Sequence, residues 1–171
     1  MSSVLNDIVL HQFQAAMSTL HQCIVNCPAD EWNREHPDSP FSQVLFHTLI
    51  FTDVYLGRSE EAIKSQEFHR AHPEIFRDYE ELEDRIPVNL YSRDQIEEYF
   101  TFCMSKGDTE IAKETEASFY GSSGFPNRSF PRLELYVYLT RHIQHHAAQL
   151  GLRVQLSTGT ELRWVGSGKK L

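Results

Sequence analysis

Apolar residues recur at intervals of three and four positions in four long segments of this chain. Such spacing places the apolar side chains on one face of a helix, so the pattern predicts four helices. Pro28 and Gly57 stand where the first two end, and Ser92 and Pro131 stand where the last two begin. The predicted helices cover residues 4–27, 41–57, 93–119 and 131–155.

The connections are richer in charge, proline or glycine. Residues 58–92 are charged and contain Pro73 and Pro87, which predicts a long crossover with one short helix at residues 74–82. Residues 121–127 are predicted to form a loop. Residues 157–171 are predicted to form a C-terminal tail that packs on the helices as a short strand or a loop.

The fold class follows from these elements. No segment of residues 1–156 shows the period-two alternation of a strand. The sequence therefore predicts an all-α four-helix bundle with a long crossover between the second and third helices. A length of 171 residues is typical of one domain, so residues 1–171 are predicted to form a single unit.

Histidines interrupt the apolar faces of two predicted helices. The inward face of the second helix is predicted to carry Val44, His47, Thr48, Phe51, Val54 and Tyr55. The inward face of the fourth is predicted to carry Leu135, Leu139, His142, His146, Gln149 and Arg153. The third helix is predicted to bury Ile96, Tyr99, Phe100, Cys103 and Ile111, with Gly107 weakening its middle.

Three of these histidines form a candidate metal site. His142 and His146 are one helical turn apart, which places their Cβ atoms roughly 5–6 Å from each other. If the second and fourth helices face each other, His47 converges on the same point. Three neutral imidazoles suit Zn²⁺, Ni²⁺, Cu²⁺ or Fe²⁺ and leave coordination positions open. We expect one zinc, nickel or iron ion.

Histidine pairs at this spacing also occur without a metal, where they form hydrogen bonds with their neighbours. Burying three imidazoles without partners would cost a few kcal/mol each, so a shared cation accounts for them more simply. His145 and Gln149 lie beside the predicted ligands and are candidates to orient a ligand or face the substrate. No carboxylate on this face is an evident general base.

The remaining histidines and cysteines are predicted to be structural. Solvent-facing side chains are expected for His11, His21, His36, His69 and His72. Reduced, half-buried thiols are expected for Cys23, Cys27 and Cys103, because no pair of them has the spacing of a disulfide framework or a CxxC motif.

Composition narrows the function classes. The formal net charge of −8 argues against a nucleic-acid partner. The N-terminus lacks the pattern of a secretory signal, and the longest nearly apolar stretch, residues 44–51, is too short to span a membrane. A cytoplasmic protein is therefore expected. The motifs GxGxxG, GxxxxGK[ST], GxSxG and HExxH are absent, and no Glu is followed three residues later by a His.

The sequence around the predicted ligands resembles the DinB/YfiT-like family of metalloenzymes. The resemblance rests on FSQVLFHTLIFTDVYL around His47, on HIQHHAAQL from His142 onward, and on DEWN before the second helix. It implies a four-helix bundle with a long crossover. It also implies one divalent metal, held by a histidine of the second helix and an HxxxH pair of the last, here His47, His142 and His146.

The last helix is similar to the YfiT-like thiol-transferase branch. Many family members have Arg-Gly after the second histidine of HxxxH, whereas this chain has Ala147 and Ala148 and retains Gln149. The resemblance implies transfer of a low-molecular-weight thiol to an electrophile. Because of their positions near helix ends or on predicted inward faces, Tyr99, Tyr138 and residues 121–127 are candidate walls of the substrate site. Activation of water, and hence hydrolysis, fits an open metal site equally well.

A rival interpretation is a non-enzymatic bundle that dimerises or binds a partner protein. Exposed aromatic residues of the crossover would form its interface, namely Phe68, Phe76 and Tyr79. A homodimer is also compatible with the enzyme hypothesis.

Overall fold

The computed structural model describes residues 3–37, 39–76 and 89–168. Over these ranges the protein contains helices and no strand, and one isolated bridge joins Ser122 to Pro131. The all-α prediction is confirmed. No helix in the described ranges is long and apolar enough to cross a membrane.

Four long helices carry most of the structure, and their starts agree with the sequence pattern. They are α1 (Val4–Asn26), α3 (Phe41–Leu56), α7 (Arg93–Ala112) and α9 (Arg132–Thr158). Ser92 caps α7 by accepting a hydrogen bond from the backbone of Gln95, as its residue type suggested. α9 continues past the predicted end at residue 155 and ends at Thr158. It ends there because Gly159 takes the left-handed conformation that terminates a helix, with φ +72°.

The third predicted helix is wrong at its C-terminal end. α7 stops at Ala112, and a separate short helix, α8 (Glu116–Tyr120), begins after Thr115. Thr115 starts the new helix because its hydroxyl accepts from the backbone N–H of Ser118 while the Ser118 side chain accepts from the backbone of Thr115.

The crossover contains more helix than predicted. It begins with three short helices, α4 (Glu60–Lys64), α5 (Glu67–Ala71) and α6 (Pro73–Phe76), and another short helix, α2 (Ala29–Trp32), precedes α3. The predicted helix at residues 74–82 overlaps α6, and its remainder lies outside the described residues.

Each long helix packs against two of the other three. α1 and α3 both contact α7 and α9. This arrangement brings α3, with His47, directly against α9, with His142 and His146. The finer assignment as a four-helix bundle, which also depends on helix directions, stays a prediction.

Gly107 in the middle of α7 is a packing site. A Cβ atom at this position would lie 2.1 Å from Cε1 of Phe13, which is fully buried in α1. The helix therefore gives up some intrinsic propensity so that the Phe13 ring can approach its backbone.

Arg132 joins the end of α3 to the start of α9. Its side chain is fully buried, and it donates hydrogen bonds to the carbonyl oxygens of Tyr55 (3.0 Å), Leu56 (2.8 Å) and Gly57 (2.8 Å). These carbonyls belong to the last two residues of α3 and to Gly57 directly after it, where no further helical turn supplies donors, so the guanidinium acts as a helix cap. Glu114 balances its charge at 3.1 Å.

The described part of the tail forms a loop along α1, so the strand alternative is wrong there. Gln22 exchanges two hydrogen bonds with the backbone of Arg163, at 3.0 and 3.1 Å. The N–H of Gly168 donates to the carbonyl of His11 at 2.9 Å. The assignment of the whole chain to one domain stays a prediction.

Candidate metal centre

The structure brings His47, His142 and His146 together. The ring centroid of His47 lies 5.4 Å from that of His142 and 4.9 Å from that of His146. The centroids of His142 and His146 are 4.7 Å apart. One nitrogen from each ring lies within 4.8 Å of the other two. Among the described residues, no cysteine or carboxylate joins this group.

The spacing of the nitrogens fits a metal ion. The Nε2 atoms of His47 and His142 are 3.4 Å apart. Two nitrogens that each lie 2.0–2.1 Å from a tetrahedral ion are about 3.3–3.4 Å from each other. Nδ1 of His142 is buried without a hydrogen-bond partner, so the described protein atoms alone do not satisfy this imidazole.

Gln149 fixes the orientation of one ring. Its side-chain oxygen lies 2.9 Å from Nδ1 of His146. Since an amide oxygen only accepts, the contact assigns the proton to Nδ1 and leaves the Nε2 lone pair available for a ligand. The role of Gln149 in orienting a ligand stays a prediction. His145 is exposed, with its ring 5.0 Å from that of His146, and it is not one of the converging nitrogens.

Burial keeps the three imidazoles neutral. Desolvation, assisted by the neighbouring His146, lowers the pKa of His47 to about 4. Desolvation and the nearby His146, His47 and His145 rings lower the pKa of His142 to about 3. Burial also lowers the pKa of His146, although its bond to Gln149 opposes this effect. Neutral rings near pH 7 are the form that binds metals.

The cluster lies at the edge of the core, not on its central face. All three histidines are half-buried, and on α3 the neighbouring Val44 and Phe51 are half-buried as well. The buried face of α9 is therefore rotated from the predicted one, because Gln149 is exposed and Arg153 is half-buried. The fully buried residues of α9 are Arg132, Leu135, Tyr136, Leu139, Ile143, Ala147, Leu150 and Val154. A ligand bound by the histidines can consequently be reached from the surface.

The prediction of a solvent-facing side chain is wrong for His69. His69 is buried and stacks on Phe76 with ring centroids 3.4 Å apart, and desolvation lowers its pKa to about 4. The other four are half-buried rather than fully solvent-facing: His11, His21, His36 and His72. Phe76, which covers one face of the His69 ring, lies on α6, the short helix that overlaps the predicted helix at residues 74–82.

The three cysteines are free thiols, as predicted, and they are fully buried rather than half-buried. Desolvation raises the pKa of Cys23 to about 12 and that of Cys27 to about 11, and it raises the pKa of Cys103. Thiols of this kind are poor nucleophiles and poor metal ligands. Their packing role agrees with the sequence interpretation.

Tyr99 is not a wall of the site, contrary to expectation. It is fully buried, and its hydroxyl donates to Oδ2 of Asp53 at 2.9 Å. Asp53 also pairs with Lys106. These residues form a polar contact between α3 and α7, away from the histidines on α9.

The aromatic interface proposed for the crossover is wrong for its described residues. Phe76 is buried, and Phe68 is half-buried between stacked rings of Tyr99 and Phe102 at 5.6 and 4.3 Å. Both rings therefore belong to the core. Tyr79 lies outside the described residues.

Aromatic side chains extend from the histidines along α3 and α9. Phe51 lies 4.9 Å from His47 and 5.6 Å from His142, and it stacks on Tyr55 at 5.8 Å. Tyr55 in turn contacts Tyr138 at 5.5 Å. We call Phe51, Tyr55 and Tyr138 the aromatic strip.

The aromatic strip includes one predicted wall residue, Tyr138, and Phe125 of the predicted loop touches it at 5.4 Å from Tyr55. Sequence analysis missed Phe51 and Tyr55 as site residues. The signal was present, because they follow His47 at successive steps of four on the same helix. It also missed Arg128, whose guanidinium lies 5.2 Å from the Tyr138 ring.

A protein-family model described as the DinB superfamily matches residues 12–150. The match includes His47, His142 and His146 as well as the aromatic strip. No curated protein and no solved structure matches the chain.

Proposed function

Because this chain belongs to the DinB superfamily, we propose that it is a metal-dependent enzyme that uses a low-molecular-weight thiol as its nucleophile. The observation that carries the proposal is the group of three neutral, surface-accessible imidazoles whose nitrogens lie within 4.8 Å of one another. His47, His142 and His146 would hold one zinc, nickel or iron ion.

A divalent cation at this position would favour the thiolate over the thiol at neutral pH, which makes the sulfur nucleophilic. The protein contributes the neutral form of the rings through burial and the orientation of His146 through Gln149. The aromatic strip offers an apolar surface that excludes water from one side of the site.

The transfer step is a nucleophilic substitution. The thiol proton leaves to solvent, the sulfur forms a bond to an electrophilic carbon, and the leaving group departs with the electron pair of its former bond. No described carboxylate lies in the histidine group. Thiol transfer suits such a site because an ionised thiol needs no further base.

A small-molecule substrate is proposed instead of a nucleic acid or a membrane, because the net charge of −8 disfavours phosphate backbones and anionic lipid surfaces. The rival function of binding a partner protein through the crossover has less support, since Phe76 is buried and Phe68 is half-buried against the rings of Tyr99 and Phe102.

The test is conjugation of monobromobimane to a thiol, in which an S–C bond forms and bromide leaves. Protein loaded with zinc, nickel or iron is assayed with glutathione, cysteine, coenzyme A, bacillithiol and mycothiol, beside the metal-free protein and the His47→Ala variant. The expected result is faster conjugation of at least one thiol by a loaded wild-type protein only. His11→Ala is the matched control, because His11 is half-buried on α1.

Equal rates for wild-type and His47→Ala proteins with all five thiols would exclude the transferase. A p-nitrophenyl ester is assayed in parallel with the same variants. Hydrolysis that depends on His47 in the absence of thiol transfer would assign the site to water activation instead.

A further inference from the structure

Arg128 lies at the end of the aromatic strip that is distant from the histidines. Its guanidinium carbon is 5.9 Å from the ring centroid of Tyr55 and 5.2 Å from that of Tyr138. Tyr55 is about 12 Å further along α3 than His47 by helical rise. Contacts between Phe51, buried Tyr55 and Tyr138 therefore connect the candidate metal centre to a positive charge.

The donors of Arg128 are only partly used. One terminal nitrogen donates to the hydroxyl of Tyr55 at 3.1 Å and the other donates to the carbonyl of Asn127 at 3.3 Å. A guanidinium has five N–H groups, and the bonds to Tyr55 and Asn127, with the Tyr138 hydroxyl nearby, do not use all of them. The N–H of Nε is buried without a hydrogen-bond partner. Arg128 forms no ion pair with any described residue.

Arg132, close by in the chain, shows the contrast. It is fully buried, pairs with Glu114, and places its donors on four backbone carbonyls and a tyrosine. Arg58 also pairs with Glu114, at 3.0 Å. These arginines are satisfied by the protein itself. The buried Nε donor of Arg128, beside the aromatic strip, lacks the partner that buried donors ordinarily have.

We propose that Arg128 binds an anionic group of the substrate, so that the substrate is a small molecule with a carboxylate or a phosphate at one end and its reacting atom at the other. The planar fork of a guanidinium matches both oxyanions. The rings of Tyr55 and Tyr138 hold the guanidinium plane in place, and the apolar middle of the substrate lies against the accessible parts of the half-buried Phe51 and Tyr138. The assignment of the reacting end of the substrate to the histidines rests on the proposed function, whereas the assignment of its anionic end to Arg128 does not.

The experiment is calorimetric titration of the zinc-loaded protein with a matched set of ligands. Mercaptooctanoate and mercaptooctanol have the same chain and thiol but differ in charge, octanoate lacks the thiol, and octyl phosphate replaces the carboxylate. We expect mercaptooctanoate to bind at least tenfold more tightly than mercaptooctanol. The ratio of octanoate to octyl phosphate affinity tells which oxyanion the site prefers.

Substitutions assign the preference to Arg128. In Arg128→Gln the advantage of the carboxylate over the alcohol should disappear, and in Arg128→Lys it should shrink, since an ammonium keeps the charge but lacks the fork. Arg163→Gln is the matched control, because it removes the same charge from an exposed residue whose described contacts are made by its backbone. Thermal unfolding of each variant confirms that it is folded.

The two proposals fail in different ways. If octanoate binds as tightly as mercaptooctanoate, while the carboxylate preference still depends on Arg128, the thiol function fails and the anion site stands. The metal-free protein should also prefer octanoate over octanol, which shows that the ion does not hold the carboxylate. Equal affinities for carboxylate and alcohol, a preference that survives in both Arg128 variants, or no binding of the carboxylates would overturn the inference.

Discussion

The Nε2 atoms of His47 and His142 lie 3.4 Å apart although 95 positions separate the two residues in sequence. The contact exists because α3 packs directly on α9. Two imidazoles at this distance would repel each other if both were protonated, and burial keeps both neutral. The pair, together with His146, is therefore suited to share one cation.

The first prediction concerns metal content. The purified protein should carry about one first-row divalent ion per chain. Single substitutions His47→Ala, His142→Ala and His146→Ala should each remove most of it, because three ligands are needed to hold the ion. Inductively coupled plasma mass spectrometry measures the content.

His145→Ala is the matched control for these substitutions, since it removes an exposed imidazole of the same helix that is outside the converging group. It should keep the metal. Full metal content in any one ligand variant would remove that residue from the set, and loss in His145→Ala would show that the pair on α9 was chosen incorrectly.

The second prediction concerns the contact between Gln149 and His146. Gln149→Ala removes the acceptor at 2.9 Å from Nδ1 and frees the ring to rotate, so metal affinity should fall by roughly 10–100-fold. Competition with a chromophoric chelator measures the affinity. Gln155→Ala, an exposed glutamine of the same helix, should leave it unchanged. Equal affinities in the two variants would show that Gln149 does not orient the ring.

The long helices were predictable because residue types near their ends mark where they begin and end. Pro28, Gly57 and Ser92 stand at helix ends, and the structure places those ends within a residue or two of them. The end of α7 was not predictable. It depends on Glu114, which is buried against Arg132 and Tyr136 of α9, a contact that no local pattern contains.

The convergence of the three histidines was predictable, but the surroundings of the candidate site were not. The spacing of His142 and His146 is visible in the local sequence. Placing His47 beside them needed one assumption, that the second and fourth predicted helices face each other. The buried face of α3 could not be read, because apolar residues occupy nearly all sides of this helix and periodicity cannot rank them. Arg128 carried no local signal, since its partner Tyr55 is 73 positions away.

The third prediction is a loss of stability in mild acid. The unfolded chain binds protons at His47 and His142 near pH 6.5, whereas the folded chain resists them until about pH 4 and 3. Between these values the unfolded state holds more protons, so the free energy of unfolding of the metal-free protein falls as pH falls. Urea denaturation should show a decrease of about 1–3 kcal/mol between about pH 7 and pH 5.

The double variant His47→Gln/His142→Gln should reduce this pH dependence, because glutamine does not titrate, whereas His69 and His146, whose pKa values burial also lowers, should keep the remainder. His11→Gln changes a half-buried histidine outside the cluster and should leave the slope as it is. A slope in the double variant equal to that of the wild type would assign the acid sensitivity to other groups, His69 foremost, since burial lowers its pKa to about 4 as well.

The fourth prediction tests the packing of Phe13 on Gly107. Gly107→Ala raises helix propensity by about 1 kcal/mol, but its Cβ would meet Cε1 of Phe13 at 2.1 Å. Overpacking should dominate and destabilise the protein by about 1–3 kcal/mol in urea unfolding. In a Phe13→Leu background the clash is relieved, so the same substitution should become neutral or stabilising. Equal effects in both backgrounds would mean that the ring is not the obstacle.

The last prediction concerns Arg132, which connects the two helices that carry the histidines. Arg132→Met removes the donors from the carbonyls of Tyr55, Leu56 and Gly57 and leaves Glu114 with Arg58 as its remaining cation. Breaking a buried ion pair in this way should cost about 3–5 kcal/mol, a large part of the stability of an ordinary domain.

The double variant Arg132→Met/Glu114→Gln separates the two contributions. If the main cost is that the buried Glu114 carboxylate keeps only the exposed Arg58 as its cation, the second substitution should restore part of the lost free energy of unfolding, because no buried charge then remains. If the lost helix cap is the main cost, the double variant should be no more stable than Arg132→Met, since the carbonyls at the end of α3 stay without donors. Stability of Arg132→Met equal to that of the wild type would show that water replaces the guanidinium and that the junction of α3 and α9 does not depend on it.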